Sequence, residues 1–428
     1  MNVKISRLSN GLIVATDPMS QLESAAVGVW VNCGGRNESR SQMGVSHMLE
    51  HMAFKGTRRR TARDIAEQIE AVGGFLNAYT SREQTAFHAR VLKADVPLGV
   101  DILSDILTEP TFDPGELDRE RQVVLQEIGQ ARDTPDDIVF DYLQSVTYPG
   151  QPMGWPILGD EETVSAFKRE DLSSYLRTHY HAGGMTLIAS GAVDHDAMVR
   201  LAEEQFTRLI PGETPPPLPA EYHGGEKRVI GDLEQAHIAF AFPGVSNLHP
   251  DYYVAQVYVG ALGGGMSSRL FQEAREKRGL CYTIYAFSQS AKDSGTLGVY
   301  TGTGENEAAE IGAVVAGEME SLAETATDAE ISRAKAQLRS GLLMGLEQPS
   351  SRAEMIAGHL FNFGRVLSVE ELSAKLDAVD AAAVRRFGAQ VMAAGCPAIA
   401  TVGPAGKFEP YETFAGRFGL RQNMRAAE

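Results

Sequence analysis

The chain has little cysteine, a deficit of positive charge and no long hydrophobic run, and each shortage narrows what it can be. Its three cysteines, Cys33, Cys281 and Cys396, are too few and too widely spaced for a disulfide framework or a CxxC metal knuckle. Free thiols in a reducing, cytoplasmic setting are expected. No stretch of about 18 apolar residues occurs, and the opening MNVKISRLSNGLIVATDPM holds no apolar segment of signal-peptide length. A soluble protein without a membrane span follows as the expectation. Against 56 acidic residues stand 39 Lys and Arg, a net charge of −17, which removes the basic footprint that nucleic-acid binding needs. Neutral or basic partners fit better.

What is present begins with length. At 428 residues the chain exceeds the roughly 250 to 300 residues at which single cores stop growing, so at least two domains are expected. Residues 210–220, IPGETPPPLPA, hold five prolines, which fix φ and remove backbone donors, favouring an extended linker. A faint repeat supports a cut there: Ser24-Ala-Ala-Val-Gly-Val-Trp-Val31 and Gln235-Ala-His-Ile-Ala-Phe-Ala-Phe242 both read as buried strands followed by a polar turn and a helix-like stretch. The reading is an α+β protein of two homologous domains, each an antiparallel-rich sheet with helices packed on it, spanning residues 1–210 and 225–428 with a proline-rich linker at 211–224.

Local signals place the elements of the first half. Residues 41–54 read as a helix, and 61–72 as another, with Thr61 as N-cap and Gly73-Gly74 as its stop. Runs 74–80 and 85–91 read as a hairpin about the turn Ser81-Arg-Glu-Gln84. From Asp113 to Arg132 a helix is expected, since Leu117, Val124, Leu125 and Ile128 recur at helical spacing.

Chemistry concentrates in His47-Met-Leu-Glu-His51. On a helix advancing about 100° per residue, His47, Glu50 and His51 project at roughly 0°, 300° and 40°, so they share one face. Two imidazoles one turn apart can aim lone pairs at a single zinc, and the carboxylate between them can reach the water that attacks. With 10 histidines and 56 acidic residues in the chain, an HxxEH pattern with either acid allowed arises by chance about 0.03 times. A catalytic zinc needs a third protein ligand. Glu127 is the best candidate, because Glu120 and Glu127 are separated by roughly 700° of helical rotation and face the same way, so that one could ligate while the other supports it. By spacing alone the two also suit a solvated helix face, and the choice stays open. In the second half the matching helix reads Val254-Ala-Gln-Val-Tyr-Val-Gly-Ala-Leu262, so the chemistry is expected to be lopsided.

The HxxEH order is that of the inverzincins, the reverse of HExxH. The chain resembles the pitrilysin or insulinase-type metallopeptidases, and among them the mitochondrial processing peptidase β subunit and its bacterial relatives. The resemblance runs through Leu8-Ser-Asn-Gly-Leu12, Gly44-Val-Ser-His-Met-Leu-Glu-His-Met-Ala-Phe-Lys-Gly-Thr57, Asn77-Ala-Tyr-Thr80 and Arg119 to Ile128. It continues in Gly264-Gly-Met-Ser-Ser-Arg-Leu-Phe271 and Arg275-Glu-Lys-Arg-Gly-Leu-Cys-Tyr282.

The resemblance implies a zinc endopeptidase with one Zn2+ per chain, held by His47, His51 and Glu127. Glu50 is then the general base and Glu120 a supporting carboxylate. Arg275 and Tyr282 correspond to a pair that holds the substrate, with Tyr282 donating to the developing oxyanion. Asn77 and Ala78 fall on a strand edge to which a peptide adds, and Asp137 and Asp141 match positions that bind a basic residue near the cleaved bond. Four such domains form a chamber in this family, so a chain supplying two implies a homodimer, or a heterodimer with a related chain. The family also has non-catalytic structural or partner subunits, which lose metal ligands; that is the alternative reading.

Overall fold

The apolar run Ser24–Val31 forms a strand buried from Ala25 onward, because it lies inside a sheet covered on both faces. The structure, a computed structural model, describes residues 2–419, which pack as two units. One comprises the chain up to Gln130, Trp155–Leu218 and Met344–Leu367; the other comprises Ala131–Gly154, Pro219–Leu343 and the residues from Ser368 onward.

The first unit contains β1 (Lys4–Arg7), β2 (Ile13–Pro18), β3 (Ser24–Val31), β4 (Phe75–Thr80), β5 (Thr85–Leu92) and β6 (Met185–Gly191), in the sheet order β1-β2-β6-β3-β5-β4. Only β2 and β6 run parallel. The second unit contains β7 (Gly225–Ile230), β8 (Ala236–Pro243), β9 (Cys281–Ser290), β10 (Gly295–Thr303) and β11 (Ala398–Gly403), ordered β7-β11-β8-β10-β9 with only β7 and β11 parallel. From β2 onward the two sheets therefore repeat each other in order and in sense. The faint repeat in the sequence extends to the whole topology.

On the inner face of the first sheet, Val27, Val29 and Val31 pack with Met48, Leu49 and Met52 of the helix Val45–Ala53. Each such fully buried apolar side chain contributes about 1.5 to 3 kcal/mol, so this face holds the helix to the sheet. The outer face mixes small and large residues, Ala15 and Ala86 with Trp30 and Ile188, and the helix Pro349–Phe363 lays Ala353, Ile356, Ala357 and Leu360 onto it. That spacing is one face of a helix. In the second unit the helix Pro135–Thr147 covers the outer face in the same way, with Ile138, Val139 and Leu143 against Ala239, Ala241, Ala398 and Ala400.

The expectation of two sequence-continuous halves and the packed units thus differ in two respects. A helix from the first half of the chain roofs the second sheet, and a helix from the second half roofs the first. The reason is tertiary: the apolar outer faces must be covered, and nothing in local periodicity says which sheet an amphipathic helix will choose. The proline-rich stretch divides as well, between Leu218 and Pro219. Before that point Arg36, 2% exposed, donates to the Leu218 carbonyl at 2.8 Å, and after it the Tyr222 hydroxyl donates to the Ala241 carbonyl at 2.9 Å. No helix among the described residues is long and apolar enough to cross a membrane.

Candidate metal centre

The helix that carries the HxxEH residues is shorter than the sequence reading of 41–54. A separate 3-10 turn occupies Arg40–Gln42, and the α-helix runs Val45–Ala53. Between them Gly44 sits at φ 90°, where a Cβ would lie 2.8 Å from the Leu158 carbonyl oxygen and the Gly159 Cα, so only glycine fits. Glu38 explains the break. Its carboxylate, 4% exposed, accepts the backbone N–H of Gly44 and of Ser46, each at 2.8 Å, and so caps the helix from outside. Burial pushes the Glu38 carboxyl up to about 8, against the pull of those two N–H groups and the Ser46 side chain.

His47, His51 and Glu127 each offer a donor atom, and the three lie within 4.8 Å of one another. The His47 Nε2 and the His51 Nε2 are each 3.7 Å from Glu127 Oε2. Bonds of about 2.0 to 2.1 Å in tetrahedral geometry put donor atoms roughly 3.4 Å apart, so the set needs only small adjustments to grip a zinc ion. Burial, with His51 beside it, holds the His47 imidazole down at about 4, which keeps it neutral and its lone pair available.

Glu120, 6% exposed on the same helix Pro114–Arg132 as Glu127, faces the histidines from behind. Its Oε2 accepts from His51 Nδ1 at 3.0 Å and its Oε1 pairs with the Lys55 ammonium at 2.7 Å. A carboxylate on Nδ1 fixes the tautomer whose Nε2 lone pair is free. His47 differs, since its Nδ1 is buried without a hydrogen-bond partner.

Glu50 projects from the same helix face toward β4. There the Thr80 hydroxyl donates to its Oε2 at 2.6 Å. Burial raises the Glu50 carboxyl above its ordinary value; the Thr80 bond and the His51 charge oppose the rise, and the Glu127 charge adds to it. Asn77 and Ala78 lie mid-way along β4, which pairs with β5 on one side only (Asn77↔His88, Ala78↔Phe87) and leaves its other edge open. An open edge presents backbone donors and acceptors to an added strand.

The remaining candidates belong to the second unit. The Arg275 guanidinium lies over the Tyr282 ring at 4.9 Å and over Phe271 at 4.6 Å, and Tyr282 is 75% exposed. Such an exposed aromatic, stiffened by a cation on its face, is free to meet a ligand. Asp137 and Asp141 stand on the helix Pro135–Thr147. The charge of Asp141 acts on Lys227, whose ammonium is pulled below its ordinary value by burial while Asp141 opposes.

Three residues at the centre carry no role in the sequence reading. Lys55 follows His47 and His51 at the same helical spacing, a signal that could have linked it to the metal face. Thr80 lies within Asn77-Ala-Tyr-Thr80, but only tertiary placement shows what it touches. Glu38 gives no signal, because a carboxylate seven residues ahead of the helix start resembles any loop acid.

Residues 13–161 match the family described as Insulinase (Peptidase family M16), and residues 166–338 match the Peptidase M16 inactive domain. The chain is 40% identical over 372 residues to the "Uncharacterized zinc protease" of Rickettsia felis, covering 87% of this chain and 90% of that one. It is 38% identical over 429 residues to the "Probable mitochondrial-processing peptidase subunit beta" of Arabidopsis thaliana, covering 97% and 81%. Among solved structures, a protease from Helicobacter pylori superimposes with a TM-score of 0.86 at 20% identity, covering 94% of this chain and 99% of that one. The second match agrees with the asymmetry between the repeats, since the apolar helix Tyr252–Gly263 has no metal-binding side chain.

Proposed function

The chain belongs to the insulinase family of peptidases, peptidase family M16, and from that premise we propose that it is a zinc endopeptidase acting on extended or unfolded peptides, with Glu50 as general base. The observation that carries the reading is the convergence of His47, His51 and Glu127 on one point, with Glu50 on the face that bears both histidines. Bound there, one zinc ion supplies Lewis acidity, which polarises the scissile carbonyl and acidifies the attacking water.

The protein's own groups do the rest. Glu50 takes the proton of the attacking water and returns it to the leaving amine; its raised pKa makes it a better base than an exposed carboxylate. Glu120 orients His51 and is itself held by Lys55. The substrate main chain pairs with the open edge of β4 at Asn77 and Ala78. Arg275 holds the peptide backbone, and Tyr282 donates to the developing oxyanion. Asp137 and Asp141 favour an Arg or Lys near the cleaved bond, and the active species is a dimer of such chains or a pair with a related one.

Two purified variants test the central assignment. Glu50→Gln should bind zinc in full and lose peptide hydrolysis by about 10³-fold or more, whereas His47→Ala should lose both. Zinc content is read by metal analysis. An active Glu50→Gln protein would refute the base, and a zinc-free wild-type protein would favour the non-catalytic subunit instead.

A further inference from the structure

Neighbouring residues of a strand point to opposite faces, and at the end of β4 both faces are tied to carboxylates. On the inner side Thr80 donates to Glu50 at 2.6 Å. On the outer side Tyr79 donates its hydroxyl to Glu354, which stands on the roofing helix Pro349–Phe363. Glu354 gathers two further donors: Trp30 Nε1 of the central strand β3 reaches Oε2 at 2.9 Å, and Gln84 Nε2 of the hairpin turn reaches Oε1 at 2.8 Å. The Gln84 amide also reaches the Tyr79 oxygen at 2.7 Å. One carboxylate thus fastens the hairpin turn, the end of β4 and the sheet centre together.

We infer that Glu354 is a positioning residue for Glu50, acting through Tyr79 and Thr80 to hold the end of an edge strand against the general base. The inference rests on Glu50 being the base. The physical need is specific. As an edge strand, β4 is hydrogen-bonded along one side only, and Thr80↔Thr85 is its last ladder pair before the turn. Beyond that pair the turn backbone is held by the Ser81 N–H on the Gln84 carbonyl at 2.8 Å and by the Gly35 and Arg36 N–H groups on the Ser81 and Arg82 carbonyls at 3.0 and 2.9 Å. On the outer face, by contrast, Tyr79 and Gln84 are tied to the roofing helix through Glu354. A shift of about 1 Å near reacting groups can cost on the order of 100-fold in rate. The clamp comes from a segment 275 residues away in sequence from Tyr79. The rest of β4 stays paired with β5 from Phe75 to Tyr79, so loosening the clamp should misplace Thr80 and Glu50 while leaving the open edge at Asn77 and Ala78 available to substrate.

The loss should therefore fall on kcat rather than KM. For Glu354→Gln, one carboxylate oxygen becomes a donor facing donors; for Tyr79→Phe, only one hydroxyl is removed, so it serves where the first variant melts early. Each should lower kcat by about tenfold with KM within about twofold, measured on a dequenching, extended peptide containing one arginine, with zinc stoichiometry unchanged. A double-mutant cycle with Thr80→Val supplies the decisive reading. If Glu354 acts through Thr80, the Glu354→Gln, Thr80→Val protein should be no slower than the slower single variant. Additive losses, a loss confined to KM, or unchanged kcat in both clamp variants would overturn the inference. Those outcomes are separable from failure of the base assignment, which shows instead as an active Glu50→Gln protein.

Discussion

After the central strand of each repeat comes a helix, Val45–Ala53 in one and Tyr252–Gly263 in the other, and the two are built on different terms. In the first, the gap between the helix and the neighbouring edge strand holds Glu50 and its bond from Thr80. In the second the gap is closed: a Cβ on Gly263 would run into the backbone of Ala286 on β9, so glycine lets the helix rest directly on the strand. The same fold therefore needs no polar group at this place. His47, Glu50 and His51, each largely withdrawn from water in the first repeat, are retained at a cost in desolvation, which is the mark of a working site rather than of a packing requirement.

The strongest way to break the comparison is to ask whether the second unit matters to catalysis without touching metal. Arg275→Ala should keep its zinc and lose activity by roughly 100-fold or more, while Glu127→Ala should lose the metal. If the second unit of one chain serves the zinc of another, mixing inactive Glu50→Gln with inactive Arg275→Ala chains should restore part of the activity. No recovery after confirmed subunit exchange would count against that arrangement.

Next in size is the closed gap itself. Gly263→Val forces a branched side chain against the Ala286 backbone and should cost about 3 kcal/mol of stability, visible as a lower denaturant midpoint, with zinc content unchanged. A harmless Gly263→Val would mean that the second helix does not rest on its strand as described.

Acid should act on the first site more gently. His47 is held at about 4 in the folded protein against 6.5 for the ordinary imidazole, chiefly by burial. Between those values the unfolded chain binds the extra proton and the folded one does not, so stability present above pH 6.5 is lost as pH falls toward 4. For the zinc-free protein the decline from pH 7 to 5 should be about 2 kcal/mol from this group. His47→Gln should flatten that part of the profile, and an unchanged slope would show that His47 is not the group responsible.

How much of this could be read from the sequence depends on how local each feature is. His47, Glu50 and His51 share one helical turn, so spacing alone put them on one face. The hairpin β4–β5 and the cap at Thr61 were equally local. Glu127 was reachable only as one of two alternatives, because spacing orients a helix face without saying what it faces. The distances to His47 and His51 come from the packing of the helix Pro114–Arg132. Least legible were the exchanged roofing helices and, with them, Glu354. An amphipathic helix such as Pro349–Phe363 announces that it will be buried, not which of two apolar sheet faces will bury it. The late start of the metal helix at Val45 escaped for the same reason, since it is set by the distant grip of Glu38 on Gly44 and Ser46.

The smallest effect separates the segments that precede the two edge strands. Ahead of β4 the helix Ala62–Ala71 begins with a reciprocal cap, in which Thr61 Oγ1 accepts from the Asp64 N–H at 3.1 Å and Asp64 Oδ2 accepts from the Thr61 N–H at 2.9 Å. Ahead of β9 the equivalent segment, Phe271–Lys277, is a π-helical turn whose first residue has no side-chain cap. A wider turn with an uncapped start is held by what packs on it, whereas the first helix carries part of its own stability at its N-terminus. Thr61→Ala should therefore cost about 1 kcal/mol, and Thr61→Ser should restore most of it. Because this helix abuts β4, the loss should appear in hydrogen exchange of the Ala62–Ala71 amides before it appears in zinc content. Equal protection in wild type and Thr61→Ala would mean that packing alone holds this helix too, and the two segments would then differ in geometry but not in what sustains them.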